Sequence, residues 1–548
     1  MSYNVGDLVA EFLSAIGVTT VFGIVSVHNI PMLDGIGRRN TIRFVMARGE
    51  AGAAHMADGY ARTNNSLGVV FSSTGPGAAN AVPGLVEAGF AASPVLHITG
   101  QTGTKFIGRG MGTAHEVPDQ IGMLKSVGKA AYQILNAPQA LGILTQAAIA
   151  ALTPPRGPVS IEIPIDVQRT PIERPAALDS LELILPGPLA PSAAALDALA
   201  AHVRQAKRPI LWLGAGAKQA AIPARALLDM GFGMVTSWAG RGTIEEDHPR
   251  NLGGLNGNGV PAVQEFYATA DLMLVCASRL RGHETAEFSV KLPANRVQID
   301  IDPTAEGRTY PCTMFVNGDI TLVLAGLAER LKGWAPEPGY PEAFAAMKQK
   351  ARAAFAASLG PYETFPAQLR AALPRDTVWA RDITINHSTW GNRLFDLFTP
   401  HDSVYPIGAA IGAGLPLGIG AAVGAPGRRT VIMTGDGGFF LTLSELWTAV
   451  QDNVDITILV MNDNGYGVIK HIQNALYGGR NFFADLMGPD LEKLAALAGI
   501  PFWRIDRAEA FGSTVAAASK AKGPSLVEVD MTAIGVFPPY APYDKKRE

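Results

Sequence analysis

Nine short apolar, β-rich runs separated by Ala-rich stretches constrain this chain more than any other feature. They read LGVVFSS, SPVLHITG and PVSIEIP, then PILWLGA, DLMLVCAS and RVQIDID, then RTVIMTGDG, DITILVMND and PSLVEVDM. Runs of this kind, alternating with helical stretches, predict parallel sheets buried on both faces under layers of helices. The alternation resets at two Pro-rich stretches, residues 167–192 and 334–341. Pro-rich segments favour extended connectors, so these are the expected linkers. Three α/β domains of roughly 150 to 190 residues follow, within the usual domain size. The alternative, one large open sheet with insertions, leaves the two linkers unexplained.

With 548 residues, 48% hydrophobic and 17% charged, the chain is too long for one core and too apolar for disorder. A net charge of -3 and no Lys/Arg-rich run give no electrostatic footprint for nucleic acid or a membrane surface. Small molecules and further copies of the chain are the expected partners. Cys276 and Cys312 are the two cysteines, too few for a disulfide framework or a Cys-based metal site, and a reducing cytoplasm fits them. The N-terminal stretch is an amphipathic helix with Asp7 and Glu11, lacking the basic and apolar regions of a signal peptide. No apolar run reaches the roughly 20 residues needed to span a bilayer.

The run RTVIMTGDG ends in Gly435-Asp436-Gly437-Gly438, and a helix is expected to follow. A glycine turn between a strand and a helix N-terminus is where an anion binds. In such sheets ligands also gather at the carboxyl ends of strands. Asp436 would repel a lone phosphate, so a hard cation such as Mg2+ is needed between them. A second ligand is available 27 residues later: Asp463, in Asn462-Asp463-Asn464-Gly465-Tyr466-Gly467 at the end of the next strand. For either acid alone, local hydrogen bonding in a βα turn is an equally good explanation. The pair is more specific.

This pairing resembles the diphosphate and Mg2+ motif of thiamine diphosphate (ThDP) enzymes. The resemblance implies that Asp436, Asp463 and the carbonyl of Gly465 hold Mg2+, with Gly435, Gly437, Gly438, Tyr466 and Gly467 around the cofactor. Asp463 stands where the family more often has Asn. An extra anion there adds like-charge repulsion, which the site tolerates or a shifted loop relieves by giving the role to Asn464. A second signature, ARGEAGAAHMADGYAR at residues 47–62, resembles the family's N-terminal cofactor segment and assigns Glu50 as its activating acid. A carboxylate bonded to N1' of the aminopyrimidine favours the imino tautomer that deprotonates thiazolium C2. Residues 71–85, with Ser73, Gly75 and Asn80, resemble the glycine turn near the pyrimidine. Residues 408–422 resemble the segment beneath the cofactor, with Gly408 and with Ile411 as the wedge that bends it. His387 and Ser388 lie where relatives contact the diphosphate.

The implied fold is three Rossmann-like α/β domains with parallel sheets flanked by helices: a pyrimidine-binding domain at 1–170, a middle domain at 190–333 and a diphosphate-binding domain at 355–548. VQIDIDP at 297–303 resembles the middle-domain strand end of acetolactate synthases. In the family, first and last domains of different subunits form the active site, so a homodimer or homotetramer is implied. The implied chemistry, on 2-oxo acid or aldehyde substrates, is decarboxylation to an enamine intermediate followed by aldehyde release or carboligation to an acyloin. His28 matches a position where benzaldehyde lyase also has His, His115 falls near the family's cofactor-side Gln or His, and His283 matches a histidine of benzoylformate decarboxylase. Each histidine also has a structural reading: a helix cap, a loop hydrogen bond and a surface side chain, respectively. Val27, His28, Val468, His471 and Ile472 are the expected substrate pocket. An acyloin or 2-hydroxyacyl-CoA lyase without obligatory decarboxylation is the alternative, and a catalytically silent paralogue a second. The intact motifs argue against silence. LGGLNGNGV replaces the His-Gly element of FAD-binding relatives and GAGA at 214–217 lacks a third glycine, so FAD is doubtful. The tail at 535–543 is read either as a cover for the site entrance or as a Pro-rich surface end.

Overall fold

A computed structural model describes residues 2–539, so the last four tail residues considered above, 540–543, lie outside the described residues. It contains three parallel sheets, each flanked by helices. The first comprises β1 (Thr20–Gly23), β2 (Arg43–Met46), β3 (Gly68–Ser72), β4 (Val95–Gln101), β5 (Ala130–Gln133) and β6 (Val159–Pro164), ordered β2-β1-β3-β4-β6-β5. The middle sheet holds β7 (Pro209–Leu213), β8 (Gly233–Thr236), β9 (Leu272–Cys276), β10 (Arg296–Asp300) and β11 (Met314–Asn317), ordered β11-β10-β9-β7-β8. The third holds β12 (Val378–Arg381), β13 (Ser403–Val404), β14 (Thr430–Gly435), β15 (Ile456–Asn462), β16 (Phe502–Ile505) and β17 (Ser525–Asp530), ordered β13-β12-β14-β15-β17-β16.

Every residue of β3, β4, β6, β7 and β9 is buried, as a parallel strand covered on both faces requires. Local capping sets several helix starts. Asn4 and Asp7 form a capping box, and Asp319 and Asp490 accept first-turn N–H groups of the helices Ile320–Arg330 and Leu491–Ala498.

The three domains share cores. The helix Glu50–Asn64, which follows β2, crosses the helix Gly414–Gly424, which follows β13. Gly59 faces the Leu417 carbonyl and Gly420 the Met56 carbonyl so closely that a Cβ at either position would overlap it. One apolar cluster therefore runs through both domains, from Ala53 and Met56 to Leu415 and Ile419. A buried pair inside the middle domain, Arg241 to Glu246 at 2.5 Å, holds the groups that pin it to the third. Arg241 Nη1 also donates to the Gly391 carbonyl (3.0 Å), and Glu246 accepts from Leu397 N–H (2.9 Å). Breaking such a buried pair by removing one partner costs about 3 to 5 kcal/mol.

Candidate active site

The carboxyl ends of β14 and β15 are neighbours, because these strands pair in parallel register from Thr430–Ile456 to Gly435–Met461. Asp436 therefore lies beside the loop that starts at Asn462. Its carboxylate accepts the Gly465 N–H (2.8 Å) and lies beside the Asp463 carboxyl. Burial raises the proton affinity of Asp436. For Asp463 burial acts in the same direction, and the adjacent charge of Asp436 adds to it while Lys470 opposes it. Lys470 itself pairs with Asp485 at 2.9 Å. Asp436 Oδ1 is buried without a hydrogen-bond partner. Asn464, with φ 53°, is exposed, so Asp463 and not Asn464 faces Asp436. Gly467 lies directly under Asp463 Oδ2, with no room for a side chain, and the Tyr466 ring closes over Gly437.

The equivalent turn of the first domain is neutral. β3 ends in Ser72, and Ser73, Thr74 and Gly75 follow, the last at φ 57° and ψ -113°, which favours glycine. Gln120 holds the turn: its Oε1 accepts from Gly75 N–H (2.6 Å) and Thr74 Oγ1 (2.8 Å), and its Nε2 donates to Glu162 (2.8 Å). Thr99 Oγ1 donates to the Ser73 carbonyl at 2.8 Å, and His97 bridges Ser72 Oγ (2.8 Å) and Ser160 Oγ (3.0 Å). Glu50 opens its helix, buried, with its carboxylate over the first turn of the next helix, Pro76–Ala91. A Cβ on Gly77 would stand 2.6 Å from Glu50 Oε1, and Asn80 Nδ2 donates to Oε2 at 3.4 Å.

His28 and His115 come together at the rim of this turn, with ring centroids 4.9 Å apart, and Ser73 Oγ lies 3.4 Å from His115 Nδ1. Asn29 ties the His28 loop to the turn, donating to the carbonyls of Ile24 (2.9 Å) and Ser72 (3.1 Å). Burial, then the neighbours His115 and Arg169, lowers the pKa of His28, and its Nδ1 has no partner. The ring is thus neutral near pH 7 and able to accept a proton.

His283 belongs to a different cluster, edge-on to Trp238 at 5.3 Å. His387 is fully buried, bonded to Asn392 at 3.0 Å and packed near Tyr405, and burial holds it far below the usual histidine range. Ser388 is buried beside it, its carbonyl accepting from Arg393 Nε at 3.3 Å. Gly408 is exposed and donates its N–H to Glu87 (2.8 Å). Ile411 is 44% exposed on a loop fastened by Asp382, which accepts from Gly412 N–H at 3.0 Å and Gly414 N–H at 3.2 Å. Val27 is exposed on the His28 loop; Val468, His471 and Ile472 are half-buried on the helix Gly467–Leu476. In the tail, Phe537 stacks on Tyr362 (5.0 Å) and reaches His471 (6.3 Å).

Sequence reasoning missed Asp382, Gln120 and Glu445. Asp382 carried a weak signal, an acid at a strand end as in GDG. Gln120 and Glu445 carried none, because their partners lie far away in the chain.

These residues suit a diphosphate cofactor held by a metal. Two adjacent carboxylates, Asp436 buried with an unsatisfied oxygen and Asp463 half-buried, form a hard-oxygen donor set of the kind Mg2+ takes. The comparisons agree with the geometry. Residues 3–123 match the N-terminal TPP binding domain of thiamine pyrophosphate enzymes, residues 196–327 their central domain and residues 385–529 their C-terminal TPP binding domain. A probable 2-ketoarginine decarboxylase of Pseudomonas aeruginosa is 32% identical over 501 residues, covering 90% of this chain and 86% of the relative. The acetolactate synthase large subunit of Porphyra purpurea is 27% identical over 541 residues (94% and 90%), and isozyme 1 of Escherichia coli 26% over 536 (96% and 94%). With three parallel-sheet domains in the matching order and these relatives along nearly its whole length, the chain belongs to the thiamine pyrophosphate-dependent enzymes.

Proposed function

We propose that this enzyme uses ThDP and Mg2+ to break and form the C–C bond beside the carbonyl of 2-oxo acids, releasing CO2 and then an aldehyde or an acyloin. The observation that carries it is the joint presence of buried Glu50 over its helix turn and the Asp436–Asp463 pair at adjacent strand ends. The relatives' names, a 2-ketoarginine decarboxylase and acetolactate synthases, support the substrate class.

When bound, ThDP supplies an electron sink for the bond that breaks. Asp436, Asp463 and the Gly465 peptide would hold Mg2+, which would neutralise the cofactor's diphosphate. Glu50 would hydrogen-bond the aminopyrimidine ring of the cofactor, and Ile411 would pack against the cofactor. His28, neutral and beside His115, moves a proton to and from the substrate oxygen, a role worth about 10²- to 10⁴-fold in rate. Val27, Val468, His471 and Ile472 line the substrate space and exclude water.

We place the complete site between two copies of the chain. The helix Gly467–Leu476 has no buried residue, and Phe482, Phe483 and Met487 beyond it are exposed. Beside the His28 loop an open groove of about 820 Å³ is lined by Val25, Leu33, Ile36, Phe44 and Met46. Exposed apolar side chains gathered in this way mark a candidate surface for a partner copy. A second reading, cleavage of acyloins or 2-hydroxyacyl-CoA thioesters without obligatory decarboxylation, is favoured by the His28–His115 pair. A screen of 2-oxo acids with the Mg2+–ThDP holoenzyme, reading CO2 and aldehyde or acyloin products, tests both. CO2 release from a 2-oxo acid is expected. Cleavage of benzoin or a hydroxyacyl-CoA with no CO2 from any 2-oxo acid would transfer the assignment to the second reading.

A further inference from the structure

The helix that presents Glu50 begins without a side-chain cap of its own, since its N-cap residue is Gly49. A carboxylate from another domain stands at that start instead. Glu445, the first residue of the helix Glu445–Gln451, is 2% exposed, and its two carboxylate oxygens accept the Arg48 N–H at 3.2 and 3.1 Å. Gly49 also faces this carboxylate, a Cβ there standing 3.9 Å from Oε1, and Thr448 Oγ1 donates to Oε2 at 2.7 Å. Gly52 makes the approach possible: a Cβ there would overlap Glu445 Oε1 and come within 2.6 Å of its Cδ. Arg48 folds back onto the same third-domain helix, its Nη2 donating to Gln451 at 2.7 Å. A carboxylate at a helix N-terminus complements its dipole, and this one also ties down the backbone that leads into the helix.

We propose that Glu445 is a positioning residue for Glu50. It fixes the two residues immediately before Glu50, and so fixes where the Glu50 carboxylate reaches over Gly77. This rests on the reading of Glu50 as the activating acid. Glu445 also lies four residues beyond the end of the helix Asp436–Leu441, so a single segment of the third domain carries the metal-site acid and anchors the activating acid's helix. Where sites form between copies, that segment joins one site's metal end to the other site's Glu50.

The test uses the full-length chain as wild type, Glu445→Gln, Gly52→Ala and Glu50→Gln. Two quantities are read: amide hydrogen exchange across residues 48–54 without cofactor, and exchange of the C2 proton of bound ThDP at saturating cofactor and Mg2+. Glu445→Gln and Gly52→Ala should each speed amide exchange there and slow C2 exchange by about tenfold to a hundredfold, since displacements near 1 Å cost that much. Mg2+-dependent ThDP affinity should hardly change, because Asp436 and Asp463 are untouched. Faster amide exchange with wild-type C2 exchange in both variants, while Glu50→Gln abolishes it, would make Glu445 purely structural and overturn the proposal alone. Wild-type C2 exchange in Glu50→Gln would overturn the Glu50 reading and this proposal with it.

Discussion

The first and third domains share one strand order, in each case second-first-third-fourth-sixth-fifth, yet the turns after their third strands carry opposite chemistry. After β14 the turn is acidic: Asp436, with Asp463 from the next strand end, leaves one buried carboxylate oxygen unsatisfied. After β3 it is neutral, built from Ser73, Thr74 and Gly75 and held by the side-chain amide of Gln120. The helices that follow the two edge strands β2 and β13 are also counterparts, and they pack on each other through Gly59 and Gly420. One opens with Glu50; the other is preceded by Ile411. Under the proposed function, the same framework would provide an anion-and-metal end and a ring-binding end. The turn residues, and not the fold, decide which is which.

If that division is right, the largest loss follows removal of the acid at the third-domain turn. Asp436→Ala should weaken Mg2+-dependent ThDP binding by about 10³-fold, or about 4 kcal/mol, as measured by calorimetry. The neutral turn should behave differently. His28→Ala should lower turnover by about 10²-fold while leaving cofactor affinity intact, a separation that steady-state kinetics and binding together reveal. A third contrast is acid sensitivity. Burial depresses His97, at the centre of the first sheet, to about 3, whereas residues 456–461 of the corresponding strand β15 include no ionisable side chain. An unfolded histidine titrates near 6.5, so below that pH the unfolded chain binds a proton that the folded chain refuses. Stability contributed by neutral His97 is complete above pH 6.5 and is lost as pH falls, by about 2 kcal/mol at pH 5. His97→Gln should flatten the stability profile over that range in denaturant titrations. The smallest effect is expected at the partner acid: Asp463→Asn should keep Mg2+-dependent binding within about tenfold, and Asn464→Ala should leave it unchanged. A larger loss in Asn464→Ala would hand the ligand role to Asn464.

The parts of this division that could be read in the sequence were those encoded locally. Alternating apolar runs gave away parallel sheets because a strand covered on both faces must be apolar throughout, as β4 and β7 are. Glu50, Asp436 and Asp463 stood out because each lies in a short run of glycines or asparagines at an element boundary. Contacts made across the chain were not legible. Glu445 serves Arg48, 397 residues away, and Gln120 reaches Gly75 across 45. His28 and His115 become neighbours only when the loops after β1 and β4 fold to the same strand ends. His387, expected beside the diphosphate, has its ring sealed between Asn392, Tyr405 and Trp238, a burial that its position in the sequence did not foreshadow.

The central claim is that Glu50 activates a cofactor that other residues hold. Turnover of Glu50→Gln, measured at ThDP and Mg2+ concentrations shown by calorimetry to saturate the variant, tests it most directly. The expected result is normal saturation with turnover reduced by about 10²-fold or more. Turnover equal to wild type at full saturation would contradict it.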